Sequence, residues 1–243
     1  MTSTWNPEAL KAQAIATHTF LEYEYARGVA APSVNGRTSP PRSVVNAVSQ
    51  VSDLIMTVGG KPINAVYTAS VAGRTNPASQ VWGTDYSYLQ SVESKYDYMS
   101  SGYEKTYTFT LEEMKGILEN AFNITLDEND AENWFSVVDY TDGGYIRRLK
   151  VGDATTYISR YGSVRNITGY WFAFEIMADA GRPLRSAAFT WSYRDGIFTI
   201  VTKGYGHGAG MSQWGAQLYA VNEGWNYSQI LTHYYTGVTI QKK

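Results

Sequence analysis

The sequence predicts an α+β fold, with mixed helices and antiparallel strands forming a single domain. Three observations carry that prediction. A run of good helix formers opens the chain at Glu8 to Glu22. Paired glycines, Gly59-Gly60, separate two apolar runs and mark a tight hairpin. Beyond them, helical and extended patterns are interspersed without the regular strand–helix–strand alternation of a parallel sheet.

Each element has a local reason. Asn6 is a good N-cap, Pro7 suits the first helical position, and Glu8 favours the positive helix end. Leu10, Ala14, Thr17 and Leu21 share a face at helical spacing, and the alanines along the run predict close packing. Residues 28–43, rich in Gly, Pro, Ser and Arg, read as a loop. Leu54 to Val58 and Pro62 to Tyr67 form the arms of the hairpin, followed by a small, polar loop at 69–78 and an aromatic-polar stretch at 82–92. Thr110 caps a second helix over Leu111 to Phe122, with Glu112 and Glu113 in its first turn. Residues 134–176 alternate apolar and polar with glycine punctuation and predict several strands. Phe189 to Trp191 and Phe198 to Val201 predict two more. A helix over Met211 to Val221 ends near Gly224, and a short helix near Gln229 to Tyr234 and a strand Val238 to Ile240 close the chain.

Composition narrows the function. A formal net charge of −2 gives no field for a polyanion, so a nucleic-acid partner is not expected. With no cysteine, disulfides, thiolate nucleophiles and cysteine-held metals are excluded within this chain. Twenty tyrosines suit a carbohydrate surface, although filling half-exposed strands is the simpler account of them and the favoured one. No apolar run reaches the length of a membrane span. Met1 to Pro7 is polar and lacks a signal-peptide pattern, which leaves a cytoplasmic protein or a piece of a longer one.

The most informative stretch is Gly204 to Ala216, where four glycines fall in seven residues around His207 and lead into a helix start. Glycine at that density belongs where backbone bends sharply or approaches a ligand. The dinucleotide fingerprint fails because its sixth position is Ala209, and the Gly-Lys-Ser/Thr of a P-loop is missing. No Gly-x-Ser-x-Gly elbow is present, which argues against a serine hydrolase. The helix start could still hold an anion or a sugar oxygen. Ser212 is equally explained as that helix's cap. His207, flanked by glycines, has no helical face to pack against and is the stronger functional candidate. The three histidines, His18, His207 and His233, match no short metal-ligand spacing.

These residues resemble the SpoIID/LytB family, named for a stage II sporulation protein. Its Gly-His-Gly-x-Gly-Met-Ser-Gln-aromatic-Gly-Ala run stands here at Gly206 to Ala216, and its Ile-Leu-x-His-Tyr-Tyr segment at Ile230 to Tyr235. Glu8 to Ala14, Gly60 to Ile63 and Val81-Trp82-Gly83 with Tyr88-Leu89 also fit. The resemblance spans residues 1–243 as one family domain, with about 100–190 a divergent sub-region or insertion.

The resemblance implies a peptidoglycan lytic transglycosylase that cleaves N-acetylmuramic acid–N-acetylglucosamine linkages in denuded glycan strands during sporulation engulfment. One carboxylic acid protonates the glycosidic oxygen and then deprotonates the muramoyl 6-hydroxyl, which closes an anhydro ring. Unlike the common two-carboxylate scheme, no water attacks. The family's glutamate would fall immediately before Met1, Thr2 replaces the usual Pro, and His18 stands where the family carries Arg. The given chain is thus expected to lack its acid. Glu8 is no substitute, because it matches a different family glutamate. On the enzyme reading that the resemblance implies, His18, His207, Ser212 and Gln213 are the candidates lining the catalytic groove opposite the first helix, with Tyr88 and Trp214 as candidate sugar platforms; core packing accounts for Trp214 equally well. Ser70, Gly73 and Thr75 match a family Ser/Thr-Gly-x-Thr segment and are further binding candidates. Relatives that bind zinc near that segment use His and Cys; neither occurs in Val66 to Gln80, so no metal and no cofactor are expected. Peptidoglycan strands, with cell-wall amidase or sporulation partners, and an extracytoplasmic setting with the anchor or signal outside this chain complete the expectation. The alternative is a non-catalytic, LytB-like amidase-enhancing module that binds glycan.

Overall fold

The computed structural model describes Met1 and residues 4–32, 34 and 38–243. Thr2, and part of the loop read over 28–43, lie outside the described residues. The elements in chain order begin with α1 (Pro7–Ala26), α2 (Arg42–Ser49), β1 (Leu54–Val58), β2 (Lys61–Pro62), β3 (Tyr67–Thr68) and α3 (Ala78–Trp82). They continue with β4 (Glu104–Thr110), α4 (Leu111–Phe122), β5 (Phe135–Tyr140), β6 (Ile146–Val151), β7 (Thr156–Ile158) and β8 (Val164–Asn166). Next come α5 (Gly169–Trp171), a π-helical turn (Phe172–Ile176), α6 (Met177–Asp179), β9 (Phe189–Arg194) and β10 (Ile197–Lys203). The chain closes with β11 (Met211–Ser212), α7 (Gln213–Asn222), α8 (Tyr227–Tyr234) and β12 (Thr239–Lys242). This is an α+β protein. It forms two compact units, Met1–Ser100 with Gly208–Lys243, and Ser101–His207.

In the first unit β1 is the centre of an antiparallel sheet ordered β12-β1-β2, and β3 pairs in parallel with β11. The β1–β2 turn is made by Gly59 and Gly60 at φ 58° and 74°. Both central residues of that turn type need positive φ, which is why two glycines stand there. Asn6 caps α1 through its side chain, as its sequence predicts. The buried face of α1 differs from the one read from sequence. Ala9, Leu10, Ala12, Ile15, Ala16 and Thr19 are buried, whereas Ala14, Thr17 and Leu21 are half-exposed. The alanines win because small side chains let α1 approach α7, α8 and β1 closely, and their partners Met56, Met211, Tyr219, Ile230 and Tyr234 supply the volume.

The second unit has a β4-β10-β9 sheet and two hairpins, β5-β6 and β7-β8, all antiparallel. Its core collects Phe109, Met114, Leu118, Trp134, Phe135, Phe172, Phe189 and Phe198. Trp134 and Phe198 stack with ring centroids 5.3 Å apart. Thr110 and Glu113 form a reciprocal capping box on α4. The strands read across 134–176 stop at Asn166; residues 169–179 are helical instead, with Thr168 capping them by accepting from the Trp171 amide. Phe172, Ala173 and Ile176, part of the alternation that predicts strands, are buried on a helical turn instead.

Candidate functional site

The glycine run is built to bend. Gly204, Gly206, Gly208 and Gly210 all take positive φ, between 69° and 114°. Its last part belongs to the first unit, where the Asn76 amide donates to the Gly208 carbonyl (2.8 Å) and Met211 and Ser212 pair with Tyr67 and Thr68. Helix α7 starts directly after it. Ser212 is fully buried and caps α7 by accepting from the Gly215 amide at 3.0 Å. Its hydroxyl therefore faces no ligand, and the structural role foreseen for it is the observed one.

The two residues after Ser212 are half-buried at the surface. The Gln213 amide donates to Gln13 Oε1 (2.9 Å), and Gln13 in turn donates to Thr17 Oγ1 (3.0 Å). The Trp214 ring lies against Trp5, with centroids 4.8 Å apart and planes at 57°. Neither tryptophan packs into the core cluster of the first unit. Among the described residues, neither indole N–H nor Gln213 Oε1 has a hydrogen-bond partner. The result is an aromatic pair beside a row of amides and a hydroxyl, all from α1, the residue before its cap, and the first turn of α7. Amide groups can bond sugar hydroxyls in either direction, and indoles stack on pyranose faces.

Other predicted residues fall elsewhere. Tyr88 is a correction: it is buried, its ring lies 5.4 Å from Tyr86, and its hydroxyl accepts from the Asn64 amide. Burial pushes its hydroxyl up to about 12, and it offers no face to a sugar. Ser70 and Thr75 are also buried, and Thr75 donates to the Gln90 carbonyl while accepting from the Val92 amide, which closes the loop on itself. Gly73, at φ 92°, accepts from the Ser94 amide through its carbonyl. His18 is tied to β1 by a 3.1 Å contact between Nδ1 and the Leu54 carbonyl, with Nε2 3.7 Å from Glu22. His207 is half-buried and is the last residue of the second unit. His233 faces the Glu93 carbonyl at 2.7 Å and stacks edgewise on Tyr219 and Trp225. Glu8 accepts from Lys11 and from the Tyr227 amide, a tie between α1 and α8. No group of His, Asp or Glu among the described residues could hold a metal ion. A cavity of about 750 Å³, lined by Asp127, Asp130, Asn133, Lys150 and Asp153 among others, belongs to the second unit and contains none of the predicted residues.

Beneath the start of α7 lies a cluster that sequence reading missed. Asp97 is fully buried. Its Oδ1 accepts from the Val71 amide (2.6 Å) and the Ser212 hydroxyl (2.5 Å), and its Oδ2 from the Ser94 hydroxyl (2.5 Å). Ser94 also meets the Tyr234 hydroxyl. No motif announces this cluster, because positions 71, 94, 97, 212 and 234 meet only in the fold. Burial raises the Asp97 carboxyl to about 6, against a pull downward from its three donors. The sign follows: the folded value lies above the unfolded one, so the favourable contribution is complete below about pH 4 and is lost as pH rises through about 6. The loss is on the order of 3 kcal/mol. Urea unfolding of wild type and Asp97→Asn between pH 4 and 7 should shift against wild type by about that amount. Parallel pH profiles would contradict a buried carboxylate that ionises.

No protein-family model matches the chain. It is 30% identical to stage II sporulation protein D of Bacillus amyloliquefaciens, over 98% of this chain and 70% of the relative. It is 27% identical to stage II sporulation protein D of Bacillus subtilis (strain 168), over 100% of this chain and 71% of the relative. A protein of the same strain named amidase enhancer is 26% identical, over 99% of this chain and 39% of that protein.

Proposed function

The chain belongs to the SpoIID/LytB family, and from that premise we propose that it binds glycan strands of peptidoglycan and acts as a lytic transglycosylase on them. The observation that supports this most is the surface formed by Trp5, Trp214, Gln13 and Gln213. Two tryptophans held outside the core are costly to leave in contact with water, and a stacking ligand offsets that cost. On this reading the indoles support the sugar rings while the amides of Gln13 and Gln213 orient hydroxyl or acetamido groups. The acid that protonates the glycosidic oxygen corresponds to the family glutamate expected immediately ahead of Met1, as the resemblance implies. We place its working environment outside the cytoplasm, at the cell wall, with an amidase as a candidate partner.

The test has two parts. Trp214→Ala and Gln213→Ala should each weaken binding of denuded glycan strands about tenfold. A chain carrying Glu ahead of Met1 should release products with 1,6-anhydromuramoyl ends, read by mass spectrometry. Binding without cleavage in that folded, acid-bearing chain would favour the second reading, a non-catalytic module, to which the amidase-enhancer relative lends support. Absence of binding would reject both.

A further inference from the structure

The Asp97 cluster joins four segments of the first unit. Val71 lies in the loop after β3, Ser94 precedes and Asp97 opens a short helical turn (Asp97–Met99), Ser212 ends β11, and Tyr234 ends α8. An ionised carboxylate only accepts, so it fixes the direction of every donor around it. The Ser212 proton then points at Asp97, and the Ser212 lone pair is free for the Gly215 amide in the first turn of α7. Asparagine could accept at one oxygen only, and its amide nitrogen would turn the Ser94 hydroxyl from donor into acceptor. The cluster thus uses the one short side chain that accepts from three donors at once, despite the burial cost.

We propose that Asp97 is a positioning residue that, through the Ser212 hydroxyl, sets the pose of the first turn of α7 and with it Gln213 and Trp214. Its consequence for glycan rests on the functional reading above; its consequence for the pose does not. Protonation turns one oxygen into a donor, reverses the Ser94 or the Ser212 bond and loosens the cap. The charged and titratable neighbours leave this control to Asp97. Lys95 is drawn 2.6 Å to Glu223, and Glu93 presents its backbone carbonyl to His233 and to the Tyr219 hydroxyl. Tyr234, fully buried, has its hydroxyl raised well above the ordinary range by burial, and it stays protonated. No cation among the described residues pairs with Asp97.

The experiment follows the Gln213 side-chain amide and the Trp214 indole N–H by NMR in the free, folded chain from pH 5 to 8. In wild type both signals should move along one titration with a midpoint near 6. In Asp97→Asn neither should follow it, although His18, His207 and His233 are all retained. Ser94→Ala removes one donor to the carboxylate and should raise the midpoint by about one pH unit. Signals that do not move in wild type, or that move identically in Asp97→Asn, overturn the proposal. If Asp97→Asn does not fold, an unchanged midpoint in Ser94→Ala overturns it alone. Denuded glycan titrated into the same samples should bind several-fold more weakly below the midpoint in wild type only. Absence of glycan binding alongside the expected titration sinks the functional reading and leaves the positioning role supported.

Discussion

Gly215→Ala is expected to destabilise the protein by about 3 kcal/mol or more, measured by urea unfolding at neutral pH. Gly215 lies in the first turn of α7, so the cost does not come from backbone strain. It comes from space. A Cβ on Gly215 would run into the Tyr234 hydroxyl, the Ser94 hydroxyl and Asp97 Oδ2. None of these can retreat: Tyr234 is fully buried, Asp97 is fixed by the Val71 amide, and Ser94 is held between them. The methyl group would also separate donors from the carboxylate they serve. Gly116→Ala is the matching control, because a Cβ there in α4 meets nothing within 4 Å. That change should raise stability by about 0.5–1 kcal/mol through helix propensity alone. Equal effects of the two substitutions would show that close approach at Gly215 is not what its glycine serves.

Features encoded by neighbours in sequence were legible. The Asn6 cap, the Gly59-Gly60 turn and the Thr110 cap on α4 each depend on residues within four positions, and each forms as read; the Glu113 half of the α4 capping box is added by the structure. The Gln213 and Trp214 candidates came from the family motif, and the fold puts them beside Gln13 and Trp5, which the motif does not reach. What failed had a tertiary cause. Tyr88 reads as a surface aromatic, yet the Asn64 amide and the core around Leu89 and Tyr86 take it inward. The α1 face was misplaced because alanine carries little hydrophobic signal although it permits the closest packing. Helix α2, Arg42–Ser49, and strand β4 were not anticipated; the residues of β4 are mostly polar, and its pairing with β10 makes it a strand. Asp97 escaped because a buried carboxylate fed by distant hydroxyls has no local pattern.

The helical turn that replaced a predicted strand makes the second large prediction. The π-turn Phe172–Ile176 carries Glu175, which is buried. Its Oε1 accepts from the Arg160 amide (2.9 Å), and its Oε2 from the Tyr157 hydroxyl (3.1 Å) and Arg165 Nη1 (3.2 Å). The Arg165 guanidinium also lies 4.4 Å from the Trp171 ring centroid, so one carboxylate ties the β7–β8 hairpin to the helical segment. The wider π-turn inserts a residue relative to an α-helix and changes which side chain faces inward. Glu175→Ala should therefore cost about 3 kcal/mol, because it leaves a buried hydroxyl, an amide and a guanidinium without their acceptor. Glu175→Gln keeps an acceptor for part of the set and should cost less, about 1–2 kcal/mol. Urea unfolding monitored by tryptophan fluorescence separates the two. If alanine and glutamine destabilise alike, the carboxylate's three bonds are not what holds the hairpin to the turn. If alanine is the worse by the expected margin, the acceptor at Glu175 is what ties the hairpin to the π-turn.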